Sequence, residues 1–394
     1  MGQKKKRWLL NLLLLFGGSI FAILLTEVAL RMAGFENQIF YSSDEYRGFA
    51  RAPGTHGWWR IEGEAYIRIN SDGLRDEEHS KLKPKNTLRI AVLGDSYAEA
   101  LQLPIEKTFW KTMERELNTC GCFGGMNVEV INFGVGGYGT AQELVTLRKK
   151  VWAYSPDIVI LAFCSRNDII DNSKVFNGRS DMPYFYYDNG ILTPDETFRY
   201  SLKFRLKLSP LGKVFMWIKN NSRILQLVNR ARIRVEQQKV ISWNFKGRSI
   251  RFDDMDFIDP EDDEAWGEAW RVTDGLIVLM RNEVKAHGAG FLVVTLTDSK
   301  QVNPDPLIRR EFMERLGIKD LFYVDSRIKA LGEREGFDVL NLAAPFQTYA
   351  DKNEIYLHGF VNADPHGGHW NADGHRLAGK LIAKEVCEVF AVKK

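Results

Sequence analysis

Cysteine is scarce in this chain: four in 394 residues, with no Cys-x-x-Cys among them. That excludes a disulfide-built scaffold and leaves zinc-ribbon and thioredoxin-like readings without support. Cys120 and Cys122, two apart in a glycine-rich loop, are expected to be free or locally paired. A strong charge of either sign is also missing, since 54 Lys and Arg face 51 Asp and Glu. The charge is nevertheless uneven: Ser201 to Arg251 holds thirteen Lys and Arg and one acid, Glu236. With 45% hydrophobic and 27% charged residues, the composition is that of a globular protein. Its length fits one large domain with insertions.

Long hydrophobic runs are absent too, with one exception. Lys4-Lys-Lys-Arg7 precedes an apolar stretch from Trp8 to Leu25 that extends to about Met32. It is long enough to cross a bilayer as one helix. The basic cluster before it predicts a cytoplasmic N-terminus and places the rest of the chain, from about residue 34, outside. A cleaved signal peptide is the alternative, but the run is long for one and no Ala-x-Ala site follows. The expected domains are an anchor over 1–33, an irregular β lead-in over 34–87, and a main domain over 88–394. Nucleic acid is a poor partner for the basic region, because the anchor puts it outside the cell. Packing on the core, or contact with a membrane surface or an anionic glycan, are the other readings of that region.

Within the lead-in, Gly57–Arg60 and Glu64–Asn70 predict a short hairpin. In the main domain, apolar β-rich runs at 88–93, 128–133, 157–163, 290–296 and 338–342 predict strands. Helical spacing lies between them, near 106–118, up to Trp152, near 265–287 and over 372–392. This alternation predicts an α/β fold: a three-layer, doubly wound, mostly parallel sheet. The alternation breaks over 171–262, a helical and β insertion containing an aromatic hairpin around Asp188-Asn-Gly190. Asp253 to Glu264 reads as a solvated acidic loop.

Three strand ends and one loop before a helix carry polar or glycine-rich groups: Gly94-Asp-Ser96, Asn132-Phe-Gly-Val-Gly-Gly137, Ser165-Arg-Asn-Asp168 and His369-Trp-Asn-Ala-Asp-Gly-His375. Open α/β sheets place their chemistry at such strand ends. From about Leu88 to the C-terminus, interrupted by the insertion, the chain resembles the SGNH, or GDSL-type, hydrolases, which have a flavodoxin-like sheet. The resemblance implies Ser96 as nucleophile, His369 as its base, and an oxyanion hole from Ser96 N–H, Gly137 N–H and the Asn167 amide. A serine hydroxyl needs such a base, and the tetrahedral oxyanion needs such donors. The chain departs from the family twice. Ser165 stands where the family has Gly, and His366 stands three before His369, where it has Asp. Asp364 is therefore the first candidate for the acid, with a Ser–His dyad as the alternative. Asp373 and His375 form a further Asp-x-His pair, read first as helix-cap and packing residues.

The expected function is an extracytoplasmic, membrane-anchored serine ester hydrolase or acyltransferase. Its expected substrate is an O-acyl ester, with acetyl on a cell-envelope or exported glycan favoured. The aromatic hairpin and Trp370 are candidates to stack on sugar faces. A lipid esterase, or a non-catalytic glycan-binding or assembly protein on the same scaffold, are the rival readings. No cofactor or metal is implied, since the serine mechanism needs none.

Overall fold

The computed structural model describes residues 2–237, 242–245, 248–259 and 263–391. The chain divides into two compact units, Met1–Ile39 with Ser209–Val240, and Phe40–Leu208 with Ile241–Lys394.

The larger unit is built on five parallel strands: β1 (Thr87–Gly94), β2 (Asn127–Asn132), β3 (Ile158–Phe163), β4 (Gly290–Thr295) and β5 (Asp338–Asn341). Their order across the sheet is β5-β4-β3-β1-β2. This is the doubly wound order in which the chain reverses direction between β1 and β3, so a crevice opens beyond the carboxyl ends of those two strands. Ile90 stands opposite Ile158, and Leu161 opposite Val293.

Side chains alternate across the sheet as the pleat requires. Ala91, Leu93, Ile131, Val159, Leu161 and Val293 face one layer, with helices Thr140–Lys149, Glu264–Ala286 and Tyr323–Glu335. Ile90, Val92, Val130, Ile160, Leu292 and Val294 face the other, with helices Phe109–Cys120, Ala343–Asn353 and Ala372–Phe390. Strands buried on both faces read in the sequence as apolar runs, as β3 and β4 do, whereas the edge strands β2 and β5 carry Glu129 and Asp338 and are partly exposed.

The insertion contains, after a short helix Lys174–Asn177, the hairpin Tyr184–Asp188 and Ile191–Asp195. Its turn residues Asn189 and Gly190 both have positive φ, +48° and +80°, as a tight two-residue hairpin turn requires. The acidic stretch at the end of the insertion is not a solvated loop. Asp254 and Asp256 are 2% and 1% exposed. Lys300 pairs with Asp254 at 2.8 Å and Arg315 adds a second contact at 3.1 Å. A buried carboxylate needs such partners, and residues far along the chain supply them. Of the rest of that stretch, 260–262 lie outside the described residues.

The cysteine expectation also changes. Cys122 is disulfide-bonded to Cys387 of the last helix, across 265 residues. Cys120 is a free, exposed thiol, with its Sγ 2.9 Å from Cys122 Sγ and 3.2 Å from Cys387 Sγ.

The smaller unit is a helix, Gly2–Met32, with two shorter helices, Pro210–Asn221 and Arg223–Gln237. Lys6–Met32 is long and apolar enough to cross a membrane, and none of it is buried. Near its end, Glu27 accepts hydrogen bonds from Ser222 Oγ (3.1 Å), Arg223 N (3.0 Å) and Ile224 N (3.1 Å). A carboxylate there satisfies the orphan donors of a helix start. Gln226, fully buried, accepts from Asn37 N at 3.0 Å and donates to Asn220 O at 2.6 Å.

Leu161 is fully buried in the layer formed with Glu264–Ala286, whereas Leu82 is 83% exposed. Leu161→Ala should lower the unfolding free energy by about 2–5 kcal/mol. Leu82→Ala should leave it within ~0.5 kcal/mol. Denaturant titration of the two variants against the parent checks both.

Candidate active site

β1 ends at Gly94, and the short helix Ser96–Glu99 begins at once. A Cβ on Gly94 would meet the Cβ atoms of Ala98 and Ala162 at 2.9 and 3.1 Å, so only glycine lets the chain turn this sharply against β3. Asp95 caps the helix by accepting from Tyr97 N at 2.9 Å. Its other oxygen accepts from Asn167 Nδ2 at 2.8 Å. Asn167, in the helix after β3, is thereby held beside the Ser96 turn. Its side chain also hydrogen-bonds Asp171, and its Oδ1 accepts from Cys164 Sγ at 3.0 Å.

Ser96 Oγ lies 2.7 Å from His369 Nε2. The ring's other nitrogen, Nδ1, lies 2.5 Å from Glu62 Oε2. The same carboxylate accepts from the His369 backbone N–H through Oε1 at 2.9 Å. Burial alone would raise the Glu62 pKa. The hydrogen bonds and charge of His369 outweigh it and hold the carboxyl below the ordinary glutamate value. A Ser–His–carboxylate line is therefore complete, and the carboxylate is not the expected one.

Asp364 does not reach the ring. It is exposed, and its Oδ1 accepts from His366 N at 3.0 Å within its own loop. A hairpin from the lead-in occupies the place instead. Its strands are His56–Trp59 and Ala65–Arg68, and Glu62 sits in the turn. That turn is tied down. Trp59 Nε1 donates to Glu62 O at 2.9 Å, and Asn362 bridges Gly63 N and O at 2.9 Å each. Gly368 has φ +75°, and a Cβ there would collide with Glu62 Oε1. The glycine before the histidine is thus the space through which Glu62 approaches. No motif marks Glu62 in the sequence; the hairpin and Gly367-Gly368-His369 were visible, but nothing linked them across about three hundred residues.

The second glycine block follows β2. Gly136 N donates to Glu99 Oε2 at 3.0 Å, and a Cβ on Gly136 would come within 3.3 Å of Ser96 Cβ. Gly137 has φ +79°, and its N–H has no hydrogen-bond partner among the described residues. The structure thus brings Ser96, His369, Gly137 and Asn167 to one edge of the sheet, with Glu62 added and Asp364 left out.

Beneath Ser96 lies a set of buried charges. Glu99 and Arg51 are 1% and 2% exposed and pair directly. Arg75 donates to the carbonyls of Glu99, Ala100 and Leu103, where the Ser96 helix ends. Burial pulls the Arg75 pKa down to about 9. Behind Asn167, burial and mutual repulsion raise Glu143 and Asp168 well above ordinary carboxyl values. Asp168 also accepts from Cys164 N at 2.7 Å, fixing the turn after β3. Ser165, the departure from glycine, faces the buried Asp256 of the insertion at 3.3 Å.

The other candidates separate cleanly. His366 is exposed and stacks on Tyr356 at 3.9 Å. Asn371, not Asp373, caps the last helix. His375 is fully buried, stacked on Phe109, with Nδ1 accepting from Phe109 N at 3.2 Å. Trp370 is fully buried and donates to Thr297 Oγ1 at 2.7 Å, so it offers no face to a sugar. His358, read from the sequence as ordinary, is buried and joins Gly368 O (2.8 Å) to Thr297 Oγ1 (2.9 Å), supporting the His369 loop from behind. A cavity of about 890 Å³ lies against the lead-in hairpin, lined by residues including Trp58, Tyr66, Arg68 and Glu106. Its lining includes neither Ser96 nor His369. Hydrogen-bond geometry, not concavity, locates the chemistry.

No protein-family model matches the chain, and no curated protein matches it. Solved structures similar to it include an acetyl xylan esterase, AlAXEase (13% identity, TM-score 0.39, covering 76% of this chain and 100% of that one). Another is a catalytic mutant of Axe2, an acetylxylan esterase from Geobacillus stearothermophilus (11%, 0.38, 80% and 100%). A third is a GDSL-like lipase from Bacteroides thetaiotaomicron (12%, 0.35, 79% and 92%). At such scores the likeness adds no weight to the geometry.

A buried histidine and a half-buried aspartate give stability a pH dependence. Burial first, then Arg75 and the neighbouring histidines, depress the His375 pKa from 6.5 to about 3. The folded state then binds fewer protons than the unfolded state below 6.5. The His375 contribution is full above pH 6.5 and is lost as pH falls towards 3. Burial raises Asp171 from 3.8 to about 7, so its contribution declines as pH rises from about 4 to 7. Denaturation midpoints against pH should lose the first slope in His375→Gln and the second in Asp171→Asn.

Proposed function

We propose that this chain is a serine ester hydrolase of the GDSL type, working through an acyl-Ser96 intermediate. The observation that carries the reading is the continuous line Ser96 Oγ, His369 Nε2, His369 Nδ1, Glu62 Oε2 at 2.7 and 2.5 Å. His369 takes the hydroxyl proton as Ser96 attacks an ester carbonyl, then returns it to the leaving alcohol. Glu62 holds the ring in the tautomer with Nδ1 protonated and stabilises the imidazolium that forms. Ser96 N–H, Gly137 N–H and the Asn167 amide receive the oxyanion. Water or an acceptor hydroxyl then attacks the acyl-enzyme, giving hydrolysis or transfer.

The acyl group in this reading is small, with acetyl as the first choice. Its support is the aromatic wall beside the oxyanion donors. Phe49 Cζ would lie 3.8 Å from a Cβ on Gly137, and Tyr41 Oη would lie 3.1 Å from one on Gly136. The alcohol in this reading is a hydroxyl of a cell-envelope or exported glycan. Lys6–Met32 serves as an uncleaved anchor with residues 1–7 in the cytoplasm, and the larger unit works outside it.

Acetyl and longer-chain p-nitrophenyl esters test the chemistry, with fluorophosphonate labelling as a second readout. Ser96→Ala should abolish labelling and turnover, and His369→Ala should match it in turnover. Full activity in folded Ser96→Ala would remove the reading. Glu62→Gln should cut kcat by about 10²–10⁴, while Asp364→Asn should leave kcat near the parent value. Asn167→Ala should cost about 10²–10³. If Asp364→Asn proves the more damaging of the two, Glu62 is not the orienting acid.

A further inference from the structure

The smaller unit carries an apolar stripe that nothing in the described chain covers. In helix Pro210–Asn221, Leu211, Val214, Phe215 and Ile218 recur at i, i+3, i+4 and i+7, which puts them on one face. They are 74%, 54%, 61% and 44% exposed, and Trp217 beside them is 66% exposed. The half-buried positions Gly212, Met216 and Asn220 lie on the other side. Asn220 there binds both Ile39 N and Ile39 O, at 2.9 and 3.1 Å. The helix is therefore held by its polar side with its apolar side outward, the reverse of a helix that packs on a soluble core.

Two further observations say what meets that face. The first is position. Glu27, in the last turns of the apolar helix, holds Ser222, Arg223 and Ile224, the junction between the two short helices. Arg31 pairs with Glu27 and donates to Asn221 O. The helix that bears the apolar stripe is thus hydrogen-bonded to the end of the membrane-length helix. The second is charge. Ser209–Val240 contains seven Lys and Arg and a single acid, Glu236. Lys213 is exposed on the same helix, and Arg232 and Arg234 are exposed on the next one. Apolar and aromatic residues on one face, with cationic side chains beside them, match the boundary between acyl chains and anionic headgroups.

We propose that helix Pro210–Asn221 lies in the lipid–water interface of the membrane crossed by Lys6–Met32, with Leu211, Val214, Phe215 and Ile218 among the acyl chains and the flanking Lys and Arg on anionic phospholipid headgroups. This rests on reading Lys6–Met32 as a membrane span. The basic region is then a second membrane contact that fixes the exit of the anchor, and not a solvated insertion.

The full chain, reconstituted in vesicles of phosphatidylethanolamine and phosphatidylglycerol, tests this. A photoreactive benzoyl-phenylalanine is placed at Phe215, at Phe16 within the apolar helix, or at the exposed Leu82. After irradiation, lipid adducts are sought by mass spectrometry. Adducts at 16 and 215, with none at 82, are the expected result. Lipid at 16, but protein or no adduct at 215, overturns the interfacial helix and leaves the anchor standing. No lipid at 16 overturns the anchor and the interfacial helix together.

Discussion

One carboxylate holds His369 twice. Glu62 accepts from the His369 backbone N–H with one oxygen and faces ring Nδ1 with the other. A bidentate charge-assisted contact of this kind fixes both the loop and the ring with a single side chain. Everything around it serves that approach. Gly368 leaves room, Asn362 pins the hairpin turn, Gln102 adds a donor at 3.3 Å, and His358 braces the carbonyl of Gly368. Remove the carboxylate and the loop loses its fastening as well as the ring its orientation.

Ser96 is fastened by different means. The Ser96 helix is a single turn, too short to be stable by itself. Its start is capped by Asp95, and its end is gathered by three carbonyl contacts to Arg75. Glu99, in the same turn, is neutralised by Arg51 and reaches across to Gly136 N. Both arginines come from the lead-in before β1. Breaking such a buried pair strands a charge, which costs far more than the intact pair contributes. The segment that read as irregular β is thus what keeps the serine, the glycine block and the histidine in mutual register.

The central strands were legible because they are largely apolar on both faces, and the meeting of Ser96, Gly137, Asn167 and His369 at one sheet edge because each follows a strand or precedes a helix. The acid was not. Asp364 sits near His369 in sequence, but its loop turns the side chain back onto His366 N. Glu62 is near only in space. Trp370 misled in the opposite way: an aromatic beside the base suggests ligand contact, yet its ring is needed under the loop, packed near Phe109, Phe346 and His375. Asp254 and Asp256 belong to an acidic stretch that composition assigns to solvent. Lys300 and Arg315, which pair with Asp254, lie in a later α/β segment. In each case the deciding partner was distant along the chain, and a local pattern carries no information about it.

During synthesis Glu62 and Ser96 emerge well before His369, from which 307 and 273 residues separate them. Until the helix Ala372–Phe390 is released, Ser96 has no imidazole beside it. The histidine arrives when the last helix docks against Phe109–Cys120, the same docking that the Cys122–Cys387 bond fastens. Trimming the chain to the apparent start of its α/β pattern, at β1, would yield a sheet that keeps its serine and histidine and discards the acid and both arginines beneath them.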